Sequence, residues 1–151
     1  MSAARNRMSQ RLSNMGVAVC LTGCVACASQ DPAIDPSKLQ KIGVDYRLTE
    51  QDICKDGTRS PQITVTDLPA AAVSYDVKMT DLDAPGFRHW NETIRSQGPT
   101  IPAGKGAHYV GPGCPPNGHR YRIRLIARNA QQEPIAYGEK TIIAERGLGA
   151  R

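Results

Sequence analysis

Residues 79–90 read "MTDLDAPGFRHW", and this stretch decides the fold. It ends a segment in which apolar and polar side chains alternate from Tyr75 onward, as on the two faces of a strand, until Pro85 stops the pattern. The alternation places Asp81 and Asp83 on the apolar face. A carboxylate in line with core side chains is costly unless it is paired or opens into a polar cavity. The stretch is therefore either an acidic turn or one wall of a site for a charged ligand.

A second strand with the same alternation is predicted in "HRYRIRLIARN", residues 119–129. Its apolar side chains share a face with His119 and Tyr121, whereas four arginines point the other way. If the two strands are antiparallel neighbours, the two acids and the histidine meet at one rim, although alternation does not fix the register. We expect the arginine row to be a solvated face, with a contact surface for lipid head groups as the alternative.

Further short strands are predicted along the chain, in "IGVDYRLT", "QITVT", "RHWNETI" and "PIAYGEKTII", the last of them in a final hairpin. The 14 Gly and 11 Pro separate short apolar runs, which is typical of strands joined by turns, and helical patterns are scarce. A chain of 151 residues has room for one core. We therefore expect an all-β or β-dominated sandwich of short strands.

The N-terminus has the layout of a secretory signal peptide, predicted at residues 1–23. Three arginines precede a short apolar stretch that is too short to span a bilayer, and small residues follow. The sequence "LTGC" resembles a bacterial lipobox, in which Cys24 is lipidated and becomes the new N-terminus. We therefore expect export to the bacterial cell envelope and attachment to the membrane through an N-terminal lipid.

Two alternatives to this anchor stay open. Cleavage within "ACAS" would release a soluble periplasmic or secreted chain that begins at Ser29, and an uncleaved leader would itself remain as an anchor. In the lipidated form, residues 24–41 are a lipidated or flexible tether with two Asp-Pro steps. Residues 42–151 then form the β domain.

Export also bears on the cysteines and on the net charge. Cys54 and Cys114 are the cysteines within the predicted domain, and an oxidising compartment favours a disulfide between them, with two unpaired thiols as the alternative. The whole chain has 19 Lys+Arg and 14 Asp+Glu, but three arginines leave with the leader, so the mature excess is only two. The sequence contains no RNA-binding or DNA-binding motif, and this small positive charge alone does not support nucleic-acid binding.

Three motifs together resemble the phosphatidylethanolamine-binding protein (PEBP) family, which includes Raf kinase inhibitor protein and many bacterial relatives. They are "TDLDAP", "RHW" and "GPGCPPNGHRY", in the family's order and approximate spacing, and "DGTRSP" is similar to an upstream loop of the family. The resemblance covers residues 54–129. It implies a β-sandwich with a small anion pocket at one end that holds phosphate or a phospholipid head group, without a cofactor or a metal.

The resemblance also implies a set of ligand-binding residues. Those that match the pocket motifs are Asp81, Asp83, Pro85, Phe87, His89, Gly111, Pro115, Pro116, His119 and Tyr121. The chain departs from the family at Leu82, where a proline is usual, and at Phe87, where a tryptophan is usual. The C-terminal helix that closes the pocket of animal members has no counterpart after "PIAYGEKTII", which predicts a more open pocket.

The chemistry of these residues suits an anion receptor. A carboxylate favours the protonated form of a neighbouring imidazole, whose two N–H groups then donate to phosphate. Without a pocket, the acids would make local turn hydrogen bonds and the histidines would be satisfied core residues. No metal-ligand spacing and no nucleophile motif is present, so we expect no enzymatic activity. The second functional hypothesis is a protein-interaction or inhibitor module that uses the same rim and the Gly/Pro loop.

Overall fold

The computed structural model describes residues 34–53, 59–95, 98–113 and 118–144, and these ranges are the described part of the chain. They belong to one compact unit, Pro32–Arg151. Within the described ranges there are two short 3-10 helices, Pro36–Lys38 and Glu50–Asp52, and eight strands. The strands are β1 (Gln40–Lys41), β2 (Gly43–Tyr46), β3 (Ile63–Thr66), β4 (Ser74–Asp81), β5 (Arg88–Arg95), β6 (Thr100–Ile101), β7 (Arg120–Arg128) and β8 (Pro134–Ile143).

The strands form two sheets over a common core. The larger sheet has the order β1-β8-β7-β4-β5, with β1 parallel to β8 and all other neighbours antiparallel. The smaller sheet has the order β2-β3-β6 and is antiparallel. One cluster of buried side chains draws on both sheets, with Ile63 from the smaller sheet and Leu125 from the larger one completely buried. The prediction of a β-dominated fold is confirmed.

The alternation in β4 and β7 is confirmed as well. Tyr75, Val77, Met79 and Asp81 of β4 are all buried, as are the residues of β7 that share the face of Tyr121. β4 and β7 are antiparallel neighbours, and the register pairs Asp81 directly with Tyr121. This register brings the acidic end of β4 to the start of β7, where His119 lies.

A β-bulge interrupts the pairing of β4 with β5. Met79 pairs with Trp90 and the next residue, Thr80, pairs with Arg88, so His89 is an extra residue without a partner on β4. Such a residue leaves the regular alternation of its strand. As a result His89 and Trp90 are both buried although they are adjacent, while Arg88 is exposed. The bulge therefore turns His89 toward the core.

Two short strands are absent from the sequence prediction. β6 lies at one edge of the smaller sheet, and β1 pairs Gln40 with Ala136 at the edge of the larger sheet. The sheet thus begins two residues before the predicted domain start at Ile42, within the segment assigned to the tether. A two-residue strand has too few positions to show an alternation, so periodicity cannot detect it.

Several predictions concern residues outside the described part of the chain. These are the signal peptide, Cys24, Ser29 and the Cys54–Cys114 pair, and they stay predictions. No helix in the described ranges is long and apolar enough to cross a membrane.

Candidate functional site

Asp81 is the centre of the site. As the last residue of β4 it is buried, and each of its carboxylate oxygens has a distinct set of donors. Oδ1 accepts from the backbone N–H groups of Asp83 (2.8 Å) and Ala84 (3.0 Å), which closes the turn after the strand. Oδ2 lies 2.8 Å from Nδ1 of His119 and 3.9 Å from Nε2 of His89. One carboxylate therefore lies between the two imidazoles.

These contacts keep the carboxylate ionised. Burial acts to raise the pKa of Asp81, but the hydrogen bond from His119 and those from the two backbone N–H groups outweigh burial and hold the pKa below its usual range. An ionised carboxylate only accepts hydrogen bonds. Nδ1 of His119 is therefore the atom that carries the proton.

His89 is fixed by a second acceptor. Its Nδ1 lies 2.8 Å from the carbonyl oxygen of Val110, and the N–H of Val110 donates in return to the carbonyl of His89 (2.7 Å). Because a carbonyl only accepts, Nδ1 of His89 also carries a proton. In both histidines Nε2 is then the nitrogen left for a ligand, and neither Nε2 makes a hydrogen bond to a described residue.

The two imidazoles line a cleft of about 400 Å³. Aromatic rings and small or apolar residues form most of its walls. The lining residues are Asp81, Ala84, Phe87, His89, Val110, Gly111, Pro112, Gly113, His119 and Tyr121. The rings pack on one another, with Tyr121 edge-on to His89 at 5.2 Å and stacked with His119 at 6.4 Å between centroids. This packing fixes the orientation of both histidines.

Tyr121 presents a neutral hydroxyl. Burial, followed by the neighbouring charge of Asp81, raises the pKa of its phenol to about 12. Tyr46 of the smaller sheet supports this position, since its hydroxyl donates to the backbone carbonyl of Tyr121 over 2.7 Å. The floor of the cleft is therefore connected to both sheets.

The wall opposite β4 depends on Glu92, a residue that the sequence analysis did not single out. Its carboxylate accepts from the indole N–H of Trp90 (2.9 Å) and from the backbone N–H groups of Ala107 and His108. These bonds attach the loop before Val110 to β5. The signal for this role was weak, because a glutamate in a strand pattern usually faces solvent.

The structure brings together six of the ten predicted site residues. Asp81, Phe87, His89, Gly111, His119 and Tyr121 all line the cleft, whereas Pro115 and Pro116 lie outside the described residues. Ala84, Val110, Pro112 and Gly113 also line it and were not predicted. Val110 acts through its backbone, which leaves no side-chain signal in the sequence.

Asp83 and Pro85 do not line the cleft. β4 ends at Asp81, so the alternation does not continue to Asp83, and the expected shared face of the two acids is corrected here. The Asp83 carboxylate instead accepts from the backbone N–H and the guanidinium of Arg120, both at 2.7 Å, and these contacts lower its pKa to about 2. Pro85 forms the turn in which Phe87 N–H donates to Ala84 O.

Within the described ranges, no three His, Cys, Asp or Glu side chains are placed to hold a metal ion. Asp81 and the two histidines lie close together, but both Asp81 oxygens and both Nδ1 atoms already make hydrogen bonds.

Residues 37–148, most of the chain, match the model of the phosphatidylethanolamine-binding protein family. The chain belongs to the PEBP family. A search of curated proteins finds no match. The family assignment confirms the resemblance inferred from the three sequence motifs, and the matched range includes every described residue that lines the cleft.

Two solved structures share the PEBP fold with this chain. YbcL of E. coli, described as a new member of the mammalian PEBP family, is 19% identical, with a TM-score of 0.51 over 69% of this chain and 98% of YbcL. CT736 of Chlamydia trachomatis, named as a PEBP homologue, is 18% identical, with a TM-score of 0.51 over 68% of this chain and 95% of CT736. At these identities the likeness concerns the fold alone.

Proposed function

We propose that this PEBP-family protein binds a small anion, phosphate or the phosphate of a phospholipid head group, in the cleft formed by Asp81, His89, His119 and Tyr121. The observation that carries the proposal is the position of the Asp81 carboxylate between two imidazoles whose Nδ1 protons are already committed. When protonated, both imidazoles that line the cleft offer an Nε2–H donor to an anion.

The carboxylate does not oppose the anion, because its charge is already compensated. It accepts from two backbone N–H groups and from His119, which is the arrangement of a positioning group. These three hydrogen bonds occupy both carboxylate oxygens and hold the group in place as an acceptor. We therefore propose binding without bond formation or cleavage, so that the protein is not an enzyme.

The apolar wall favours a ligand with a carbon chain next to its phosphate. Phe87 lies over His89 at 4.6 Å between ring centroids, and 53% of its surface is exposed at the mouth of the cleft. A head group with methylene carbons beside its phosphate would cover part of this ring. A second candidate function rests on the same exposed ring, which could instead anchor a protein partner at the rim.

Export and a lipid anchor at Cys24 complete the proposal, with a soluble chain from Ser29 as the alternative. In this form the anchor would keep the cleft within reach of the lipids of the bacterial envelope. Mass spectrometry of the membrane fraction tests the anchor. A diacylglyceryl group on Cys24 supports it, and a soluble chain that begins at Ser29 refutes it.

The binding test is a titration of the full chain, made unlipidated by Cys24→Ala, with inorganic phosphate and then glycerophosphoethanolamine. Calorimetry should show saturable binding, because the Nε2 atoms of both imidazoles make no hydrogen bond to a described residue. His119→Ala should abolish binding. His108→Ala is the matched control, since this histidine is 81% exposed and does not line the cleft. If neither ligand gives a binding signal, the anion-binding proposal is refuted and the hypothesis of a protein partner remains.

A further inference from the structure

The outer face of the larger sheet carries a concentrated positive charge. The register of β1, β8, β7, β4 and β5 places eight basic and two acidic side chains on it, and we call this the basic face. The basic members are Lys41, Lys78, Arg88, Arg95, Arg120, Arg122, Arg124 and Arg128, and the acidic members are Asp76 and Glu139. The excess of six is larger than the formal charge of +5 of the whole chain.

Ion pairs within the face leave much of this charge uncompensated. Asp76 pairs with Arg128 at 2.6 Å, and Glu139 lies 3.9 Å from Arg122. Arg120, in turn, is bound by Asp83 from the turn beside the face. Among the described residues, no carboxylate lies within ion-pair distance of four further cations of the face, which are Lys78, Arg88, Arg95 and Arg124.

The register makes this charge costly in the isolated protein. Lys78 of β4 and Arg124 of β7 lie directly opposite each other. Like charges at opposite positions destabilise a sheet. Glu139 faces Arg124 from β8, but its carboxylate accepts from the hydroxyl of Tyr137 and lies within ion-pair distance of Arg122. A local conflict of this kind is expected where a sheet face meets an external counter-charge.

We propose that the basic face docks on an anionic lipid bilayer. A lipid surface fits better than a nucleic acid because the charges spread over five neighbouring strands of a sheet, with no groove and no row of exposed aromatic side chains among the described residues. Exposed Ile143 lies at one end of the face, opposite Arg120. A mixture of cations and apolar side chains suits the interfacial region of a membrane.

The position of the first strand agrees with docking of the basic face on a membrane. β1, the first strand, is an edge strand of the same sheet, and Lys41 lies over the ring of Tyr137 on the basic face. A lipid on Cys24 would tether this edge with a reach of roughly 50 Å when fully extended. Tethering raises the effective concentration of the face at the membrane, so weak electrostatic contacts are sufficient.

Vesicle binding by the unlipidated full chain, Cys24→Ala, tests the proposal. Binding to phosphatidylcholine vesicles with added phosphatidylglycerol should exceed binding to phosphatidylcholine alone, and the difference should shrink as salt is added. Lys78→Gln with Arg124→Gln should reduce that difference by about 25-fold, since each cation contributes roughly fivefold at an anionic surface. The charge-preserving pair Lys78→Arg and Arg124→Lys should retain it.

The matched control neutralises two exposed cations away from the face, Arg47→Gln with Lys105→Gln, and should bind like the parent chain. If the glutamine pair at Arg47 and Lys105 lowers the preference for anionic vesicles as much as the pair at Lys78 and Arg124, the net charge and not the basic face is responsible. That result would overturn the proposal. Retention of duplex DNA without any preference for anionic vesicles would overturn it as well. His119→Ala should change binding to both kinds of vesicle by the same factor, because both lipids carry a phosphate that the cleft could bind, whereas Lys78→Gln with Arg124→Gln should reduce only the preference for anionic vesicles.

Discussion

Nδ1 of His119 donates to Oδ2 of Asp81 over 2.8 Å across 38 residues of sequence. The antiparallel register of β4 and β7 produces this contact, because it sets Asp81 opposite Tyr121, two residues beyond His119. The pair determines which nitrogen of His119 faces the cleft, and most of the predictions about binding depend on it.

Asp81→Asn should weaken phosphate binding by about tenfold to a hundredfold, because a neutral amide no longer holds the Nδ1 proton of His119 as strongly as a carboxylate does. Calorimetric titration measures the loss. Asp83→Asn is the control, since Asp83 pairs with Arg120 outside the cleft and should change the affinity less than about twofold. Equal losses in the two variants would show that the Asp81–His119 pair has no special role.

Acid should destabilise the protein in part through Asp83. Its pKa is about 2 in the folded chain, below the ordinary 3.8, so its contribution is present above pH 3.8 and is lost as the pH falls toward 2. The pKa of Asp81 is shifted in the same direction. Urea midpoints at pH 5 and pH 2.5 should therefore differ less for Asp83→Asn than for the parent chain. An identical difference for both proteins would contradict this account.

Leu125→Ala should lower the free energy of unfolding by about 2–5 kcal/mol, because Leu125 is completely buried at the centre of β7 and opposite Val77. Urea denaturation measures the change. Ile143→Ala, at a side chain that is 63% exposed, should stay within about 0.5 kcal/mol of the parent. A small effect at Leu125 would mean that the core repacks around the cavity.

Gly106→Ala should disturb the loop that carries Val110. A Cβ at Gly106 would lie 2.7 Å from the Trp90 ring and 2.9 Å from Ser60, closer than side chains tolerate. We expect a loss of about 1–3 kcal/mol, with weaker phosphate binding because Val110 fixes His89. Gly86→Ala is the matched control, as no atom lies within 4 Å of its Cβ position. Unchanged stability in Gly106→Ala would show that the loop adjusts freely.

The sequence predicts much of the fold because alternation and turn residues carry the information. Both faces of β4 and β7 follow from a period of two, and the same period singles out the acid at the end of β4 as a site residue. The six longer strands all appear where their patterns lie. Periodicity alone left the β4–β7 register open, and the antiparallel pairing then fixed which acid meets His119.

The rest depends on interactions that a pattern of side chains does not encode. The Asp83 carboxylate lies outside the cleft because β4 ends at Asp81 and the carboxylate pairs with Arg120. Val110 contributes a carbonyl, and any residue type has one. Glu92 is held in a partly buried position because three N–H groups, from Trp90 and from a loop that is distant in sequence, donate to its carboxylate. The placement of His89 depends on a bulge, which breaks the alternation on which the prediction rests.

That bulge also has a consequence for how such a site arises. His89 is additional to the β4–β5 ladder, since Met79 with Trp90 and Thr80 with Arg88 already pair on either side of it. Deleting this one residue would leave an unbroken ladder and remove one of the two imidazoles. A single codon therefore separates a plain sandwich from one that has two histidines facing its carboxylate, and the recognition element can be gained or lost without rebuilding the sheet.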